Sequence, residues 1–264
     1  VISHDITDRK KIELRERFRT HILELIMSDE PLAEILKAIV QGIEESNPAM
    51  LCSILLLDES GNHLLTGAAP SLPNFYNQAI HGIEIGMGVG SCGTAAFTNE
   101  RVIVEDIQSH PYWAPYKELA SQAELRSCWS EPIRSTQGKV LGTFAIYHHD
   151  VSQPTKADIT LIEQVTSLAS VAIEKTQANL ELKARDEQMQ LVLAGAELGF
   201  WDWDIHTDRL ERNERWATML GYTHKEIKQS TKLWTDFIHP DDKDKVQQSI
   251  NDVLKGHSKF HNIE

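Results

Sequence analysis

Leu125-Arg-Ser-Cys-Trp-Ser-Glu-Pro-Ile-Arg134, the turn Thr136-Gln-Gly138-Lys139 and Val140-Leu-Gly-Thr-Phe-Ala-Ile-Tyr-His148 read as two strands joined by a tight turn. The first carries Leu125, Cys128, Trp129 and Ile133 and the second is apolar over most of its length, which marks a hairpin of the buried type. Working outward, Met50 to Leu57 is another apolar run of strand length. It is closed by Asp58-Glu-Ser-Gly61-Asn62 and followed by His63 to Gly67, a first hairpin. The residues between the hairpins predict a short helix over Asn74 to Ile80, a glycine-punctuated stretch from Gly82 to Gly90, and one or two helical turns over Thr94 to Thr98. A short β-branched strand is expected over Arg101 to Glu105, then an aromatic, irregular or helical segment from Pro111 to Ala123.

Helical patterns flank the hairpins. Asp8 to Met27 is charged, with a narrow apolar stripe at Ile12, Phe18, Ile22, Leu25 and Ile26. After Ser28-Asp29-Glu30-Pro31, apolar residues at Leu32, Ile35, Leu36, Ile39, Val40 and Ile43 recur every three or four positions, and Asn47-Pro48 stops the pattern. From Lys156 a second amphipathic face runs through Ile162, Val165, Leu168, Ala169, Ala172 and Ile173, continuing more weakly to about Leu193. Some 35 to 40 residues at about 1.5 Å each make a rod of roughly 50 to 60 Å. Two helices with a bend, and one continuous helix pairing with its copy as a parallel coiled coil, both fit this pattern. Beyond it, Gly199 to Ile205 and Asp208 to Glu211 read as strands, and Trp216 to Leu220, Lys225 to Ile227 and Lys243 to Lys255 as helices. Phe260 to Glu264 reads as the start of a further strand.

A chain of 264 residues suits two domains of about 100 to 150 residues. With 41% hydrophobic and 25% charged residues it has the usage of a globular protein. A formal net charge of −13 without a basic run excludes direct nucleic-acid binding and a polybasic membrane contact. No apolar run approaches the roughly 20 residues of a membrane span, so a cytoplasmic location is expected. The three cysteines, Cys52, Cys92 and Cys128, have neither disulfide-framework nor CxxC spacing.

Five stretches resemble the GAF family: Ser53-Ile-Leu-Leu-Leu-Asp58, Gly88-Val-Gly-Ser-Cys-Gly-Thr-Ala-Ala96, Val102-Ile-Val-Glu-Asp106, Cys128-Trp-Ser-Glu-Pro-Ile133 and Gly138-Lys-Val-Leu-Gly-Thr-Phe144. They are most similar to GAF domains of bacterial two-component histidine kinases and cyclic-di-GMP signalling proteins. Gly199-Phe-Trp-Asp-Trp-Asp204, Asn213-Glu-Arg-Trp216, Met219-Leu-Gly-Tyr222 and His239-Pro-Asp-Asp242 resemble a PAS domain truncated at its C-terminus. Val1 to Ile12, with Asp5-Ile-Thr-Asp-Arg-Lys10, is similar to the closing strand and exit of another PAS domain. The resemblance implies an α+β fold: an antiparallel sheet with flanking helices, a long linker helix, then a partial α+β domain. The implied divisions are 1–12, 13–178 for the GAF-like domain, 179–193 for the linker and 194–264 for the PAS-like domain. It also implies a sensor acting on an output domain elsewhere in the same polypeptide, with no catalytic site in these residues.

Gly88-Val-Gly-Ser-Cys-Gly93 matches GxGxxG, but the polar, broken Gly82-Ile-Glu-Ile-Gly-Met87 is not the buried strand a dinucleotide fold places before its glycines. Cys92 lies near a helix N-terminus, where a thiol ionises more readily. Its loop, Gly90-Ser-Cys92-Gly-Thr-Ala95, is similar to one in free methionine-(R)-sulfoxide reductases, GAF domains with a catalytic cysteine pair. Their second cysteine has no counterpart in His110-Pro-Tyr-Trp-Ala-Pro-Tyr116. Cys92 and Cys128 therefore stand as small buried residues, as a redox pair, or as reductase-like thiols, while Cys52 starts an apolar strand and reads as core. Trp113 and Tyr116 either pack their loop onto the sheet or, with Trp129 and the turn Gly67-Ala-Ala-Pro-Ser-Leu-Pro73, line a small-molecule pocket. Backbone amides at Ser91 to Gly93 are placed to receive an anion or carbonyl.

The ligand-binding candidates are thus Cys92, Gly93, Trp113, Tyr116, Cys128 and Trp129. No cofactor is expected. No cysteine has the adjacent histidine that bilin attachment requires, and Met189 to Glu264 lacks a flavin-reactive cysteine. His239 reads as a helix cap and His257 as a solvent-facing helix end rather than as haem ligands. The twelve histidines show no HExxH spacing, so no metal is expected. The expected partners are a small ligand and a second copy paired through 156–193.

Overall fold

The computed structural model describes residues 2–204, 206–207, 209–223 and 238–257, in two compact units, 1–180 and 181–264. In chain order the first unit contains α1 (Ile2–Met27), α2 (Leu32–Ser46), β1 (Leu51–Leu57), β2 (His63–Ala68), α3 (Asn74–Ile80), β3 (Ile83–Glu84) and α4 (Gly90–Thr98). β4 (Val102–Val104), a 3₁₀ turn (Pro111–Tyr116), α5 (Lys117–Gln122), β5 (Ser127–Arg134) and β6 (Val140–His148) follow, then α6 (Lys156–Gly195). The strands form one antiparallel sheet in the order β3-β2-β1-β6-β5-β4.

The two hairpins meet at the centre, where β1 pairs β6 with Cys52 opposite Ile146 and Ile54 opposite Phe144. Successive side chains of a strand point to opposite faces. Cys52, Ile54, Trp129, Ile133, Phe144 and Ile146 therefore share one face, under the apolar stripes of α1, α2 and α6. Leu55, Cys128, Ala145 and Tyr147 share the other, under α3, α4, the 3₁₀ turn and α5. Both faces are covered, so β5 and β6 are buried along nearly their whole length.

α6 is one uninterrupted helix, because no proline or glycine occurs before Gly195. A capping box starts it: Thr155 N–H donates to Asp158 Oδ2 (2.8 Å) and Asp158 N–H donates to Thr155 Oγ1 (3.3 Å). Further along, Ser170 donates to the carbonyl of Arg134 (2.6 Å), Thr136 to Glu174 (2.9 Å) and Lys175 Nζ to Asp29 (2.6 Å), tying α6 to the end of β5 and to the α1–α2 connection.

Two expectations are corrected. The closing strand anticipated over Val1 to Ile12 is helix from Ile2 onward, since Asp5-Ile-Thr-Asp-Arg-Lys10 contains no residue that stops a helix entering Asp8 to Met27. The glycine-punctuated stretch hides β3, two residues long and hydrogen-bonded to β2.

In the second unit β7 (Trp201–Asp204) pairs antiparallel with β8 (Arg209–Arg212), followed by α7 (Glu214–Met219), a 3₁₀ turn (Pro240–Asp242) and α8 (Lys243–Leu254). Asn213 caps α7, its Oδ1 accepting from Trp216 N–H (3.0 Å) and its Nδ2 donating to the carbonyl of Leu198 (2.9 Å). Gly199 lies so close to Trp216 and Met219 that a Cβ there would stand 2.6 Å from the Met219 sulfur. The PAS-like motif residues thus interlock. The strand end at Ile205, the start at Asp208, the helix Lys225 to Ile227 and the strand from Phe260 lie outside the described residues.

Gly142 gives the sheet a sharp test, because a Cβ there would sit 2.1 Å from the backbone oxygen of Leu55. Gly142→Ala is expected to cost about 3 kcal/mol or more in urea unfolding. Gly195→Ala, which meets nothing within 4 Å, is expected to be neutral or slightly stabilising.

Candidate functional site

The glycine loop before α4 folds back on that helix. Thr94 Oγ1 donates to the carbonyl of Gly90 (2.7 Å) and accepts from Gly88 N–H (3.1 Å), while Gly88 and Gly90 take φ of +83° and +55°. Gly93 allows the closure: a Cβ on it would be 2.7 Å from the Val89 side chain. Ser91, Cys92 and Gly93 consequently occupy the first turn of α4, pressed against β5 and β6.

Ser91 ties three elements together. Its hydroxyl accepts from Trp113 Nε1 (3.0 Å) and donates to the carbonyl of Cys128 (3.2 Å), joining the 3₁₀ turn to α4 and to β5. Cys92 Sγ lies 3.7 Å from the hydroxyl of Tyr147, which also accepts from Ser53 (3.4 Å). Tyr76 from α3 meets Tyr147 edge-on, with ring centroids 6.0 Å apart. Ser130 and Thr143, on the same sheet face, are fully buried, and their hydroxyls have no hydrogen-bond partner.

Between these groups and the 3₁₀ turn is a cavity of about 30 Å³. Leu55, Tyr76, Ile80, Val89, Trp113 and Tyr147 supply most of its wall, and Ser91, Cys92, Gly93 and Tyr116 also reach it. A recess of about 420 Å³ beside α6 is larger but open, and its charges are committed to one another. There Arg101 contacts the buried Glu131 and donates to Glu163 (2.9 Å), and Arg134 donates to Glu131 (3.0 Å). We place the site in the small cavity because the Cys92 thiol, the first turn of α4 and the Tyr147 hydroxyl meet at its wall.

The electrostatics separate the three thiols. Burial pushes Cys52 up, helped by the Glu44 carboxylate that accepts from its backbone N–H, and burial also pushes Cys128 up. Cys92 is equally buried, yet lies lowered to about 7. The main cause is the Cys128 thiol beside it, with the Ser130, Tyr147 and Thr143 hydroxyls also favouring the thiolate and burial opposing it. The proton that Cys92 gives up is balanced by one that Cys128 keeps.

Of the expected ligand-binding residues, Cys92, Gly93, Trp113, Tyr116 and Cys128 gather on this face. Trp129 does not: one residue from Cys128 along a strand, it points to the other face, donating from Nε1 to the carbonyl of Ser152 (3.1 Å) against the ring of His148. Ala69 and Leu72 of the Gly67-to-Pro73 turn join the surrounding core. Sequence reasoning used only the backbone amide of Ser91 and passed over Ser130, Thr143, Tyr76 and Tyr147. The signal was there, since Thr143 and Tyr147 alternate with Phe144 and Ile146. His239 and His257 are both exposed, and His239 accepts from Asp241 N–H as an N-cap. Among the described residues no three His, Cys, Asp or Glu side chains converge as a metal site, and no helix is long and apolar enough to cross a membrane.

With the geometry established, comparison with known proteins adds the following. Residues 29–174 match the GAF domain family, and 209–264 match the PAS fold. The methyl sulfide methyltransferase-associated sensor of Methanosarcina acetivorans is 38% identical over 188 residues, covering 71% of this chain and 19% of that protein. This chain thus spans about a fifth of that relative's length. The GAF domain from a phosphoenolpyruvate-protein phosphotransferase of Coxiella burnetii superposes with a TM-score of 0.52 at 19% identity, covering 64% of this chain and 98% of that one. A GAF sensor protein from Burkholderia vietnamiensis gives 0.50 at 19% identity, with 63% and 98% covered. These two likenesses concern the fold.

The thiol assignment has a direct readout. Below about pH 7 Cys92 carries its proton and above it the thiolate accumulates, so ultraviolet thiolate absorbance is expected to rise with a midpoint of about 7. The step should vanish in Cys92→Ala and persist in Cys52→Ala; a first step only in the alkaline range contradicts the assignment.

Proposed function

We propose, on the premise that this chain belongs to the GAF domain family and carries a PAS fold after it, that it is a sensory module whose input is the chamber beneath α4. A small ligand or a redox change there biases α6, and α6 relays the bias to an output domain in the same polypeptide. The observation that supports this most strongly is the shared use of β5. Cys128 lies on the chamber face, and the next residue, Trp129, lies in the core that holds Ile162, Val165, Ala169 and Ile173 of α6. A shift of the strand is felt on both sides, because close-packed interiors transmit displacement.

The relay works through a second copy of the chain. Leu182, Met189 and Val192 on α6 are exposed to 68%, 52% and 58%, and their spacing of seven and then three residues is that of a coiled-coil seam. Two parallel helices with alternative packings pass on a small bias without chemistry. We assign the module to the cytoplasm, as a part of a two-component or cyclic-di-GMP signalling protein. The similarity to a curated sensor supports the non-catalytic reading. The alternative, thiol-dependent reduction of free methionine sulfoxide, is the weaker reading, since His110 to Tyr116, where that family carries its second cysteine, contains none.

Light scattering is expected to find a dimer at tens of micromolar, about the range of a modest helix pair. Leu182→Glu with Met189→Glu should shift it to monomer without loss of helix content. A monomeric wild-type chain contradicts the relay. Free methionine sulfoxide with a reductant is expected to show no turnover, and turnover abolished by Cys92→Ser would replace the sensor reading with the enzyme.

A further inference from the structure

We propose that Cys92 is a peroxide-reactive thiol that hydrogen peroxide oxidises within the small chamber, and that Cys128 resolves it as an intramolecular disulfide. This deepens the proposed sensing function and rests on it for its biological meaning, while the chemistry stands on the geometry alone.

Four observations converge on Cys92. It is the cysteine that lines the cavity, so a molecule inside meets its sulfur. The cavity of about 30 Å³ has room for about two water-sized atoms, at some 10 to 15 Å³ each, which suits the two oxygens of hydrogen peroxide and excludes bulkier oxidants. Ser130 and Thr143 keep buried hydroxyls that the neutral thiol leaves without a partner, an arrangement that costs about 1 to 3 kcal/mol each unless a charge forms beside them. Both adjoin Cys92 and favour its anionic form. Finally, Cys128 faces Cys92 from β5, and the Ser91 hydroxyl holds α4 to the Cys128 carbonyl at 3.2 Å. The titratable groups facing Cys92 are Cys128 from β5, Tyr147 from β6 and Tyr76 from α3; the carboxylate of Glu44 acts on Cys52 instead.

The step balances. The Cys92 thiolate attacks one peroxide oxygen; an S–O bond forms, the O–O bond breaks, and hydroxide leaves. Sulfur is oxidised by two electrons to sulfenic acid and the peroxide is reduced by two. Cys128 then loses its proton and attacks the Cys92 sulfur; the S–S bond forms and the S–O bond breaks. The departing hydroxide takes up a proton as water. Two thiols and one peroxide give one disulfide and two waters.

The test uses the whole reduced chain with stoichiometric hydrogen peroxide and intact mass under non-reducing conditions. The expected product has lost two hydrogens, with Cys92 and Cys128 linked and Cys52 free, and dithiothreitol restores the starting mass. Cys128→Ser should stop at a Cys92 sulfenic acid trapped by dimedone, and Cys92→Ala should form neither species. Because substitutions at buried thiols can unsettle the fold, Ser130→Ala with Thr143→Val gives a second test that keeps both sulfurs. Losing charge-assisted hydrogen bonds raises the thiol pKa by about one unit, so oxidation at neutral pH should slow about tenfold. Oxidation of Cys52 as fast as Cys92, or no dimedone adduct in Cys128→Ser, overturns the proposal. Disulfide formation with an unchanged oligomeric state upholds it and contradicts the relay. Peroxide treatment that leaves both thiols reduced, while a small ligand still evokes the relay response, overturns the proposal alone.

Discussion

The two-residue alternation of β5 and β6 is the constraint on which the first unit depends. Side chains one apart along these strands face opposite layers, so a single pair of strands carries the cluster of thiols and hydroxyls on one side and the floor for α6 on the other. Had either strand been displaced by one residue in register, Cys128, Ser130, Thr143 and Tyr147 would stand against α2 and α6, and Trp129, Phe144 and Ile146 against α4. The register is fixed by ladders on both sides, β1 with β6 and β4 with β5, and by Gly142, which lets β1 approach β6 closely.

A buried cluster of thiols and hydroxyls is costly, and its persistence has to be explained against the apolar core it displaces. Cys52 shows the ordinary outcome of burying a thiol, a pKa raised by desolvation. At Cys92 the Cys128 thiol and the Ser130, Tyr147 and Thr143 hydroxyls, which favour the thiolate, outweigh the same burial. The protein holds donors around a sulfur that needs them only when it carries charge. That is the pattern of a site organised for a charged or oxidised state. The Trp113–Ser91–Cys128 chain gives it rigidity, since one hydroxyl fixes the lid turn, the helix and the strand.

Much of this was legible in the residues. Both hairpins, α2, α3 and the start of α6 follow from periodicity and turn chemistry, because those segments obey local rules that tertiary packing reinforces. Cys92, Gly93, Trp113, Tyr116 and Cys128 share one sheet face, but Trp129 was grouped with them although it is adjacent to Cys128 and must face away. Tyr147 and Thr143 were passed over because an apolar run hides its minority face, and which face meets α4 depends on pairings between residues nearly a hundred apart. A two-residue strand such as β3 has too little pattern to read. The helical start of α1 was mistaken for a strand because a family likeness was followed where helix-stopping residues were lacking.

The account's central claim is that the chemical state of Cys92 on one sheet face is felt by α6 on the other. Hydrogen exchange along residues 156–180, compared between protein with Cys92 reduced and protein with Cys92 oxidised, tests it most directly. The account predicts altered protection in β5 and in the α6 segment around Ile162 to Ile173, with β2 and β3 unchanged. A change confined to α4 and the 3₁₀ turn, with α6 exchanging identically in both states, would contradict it.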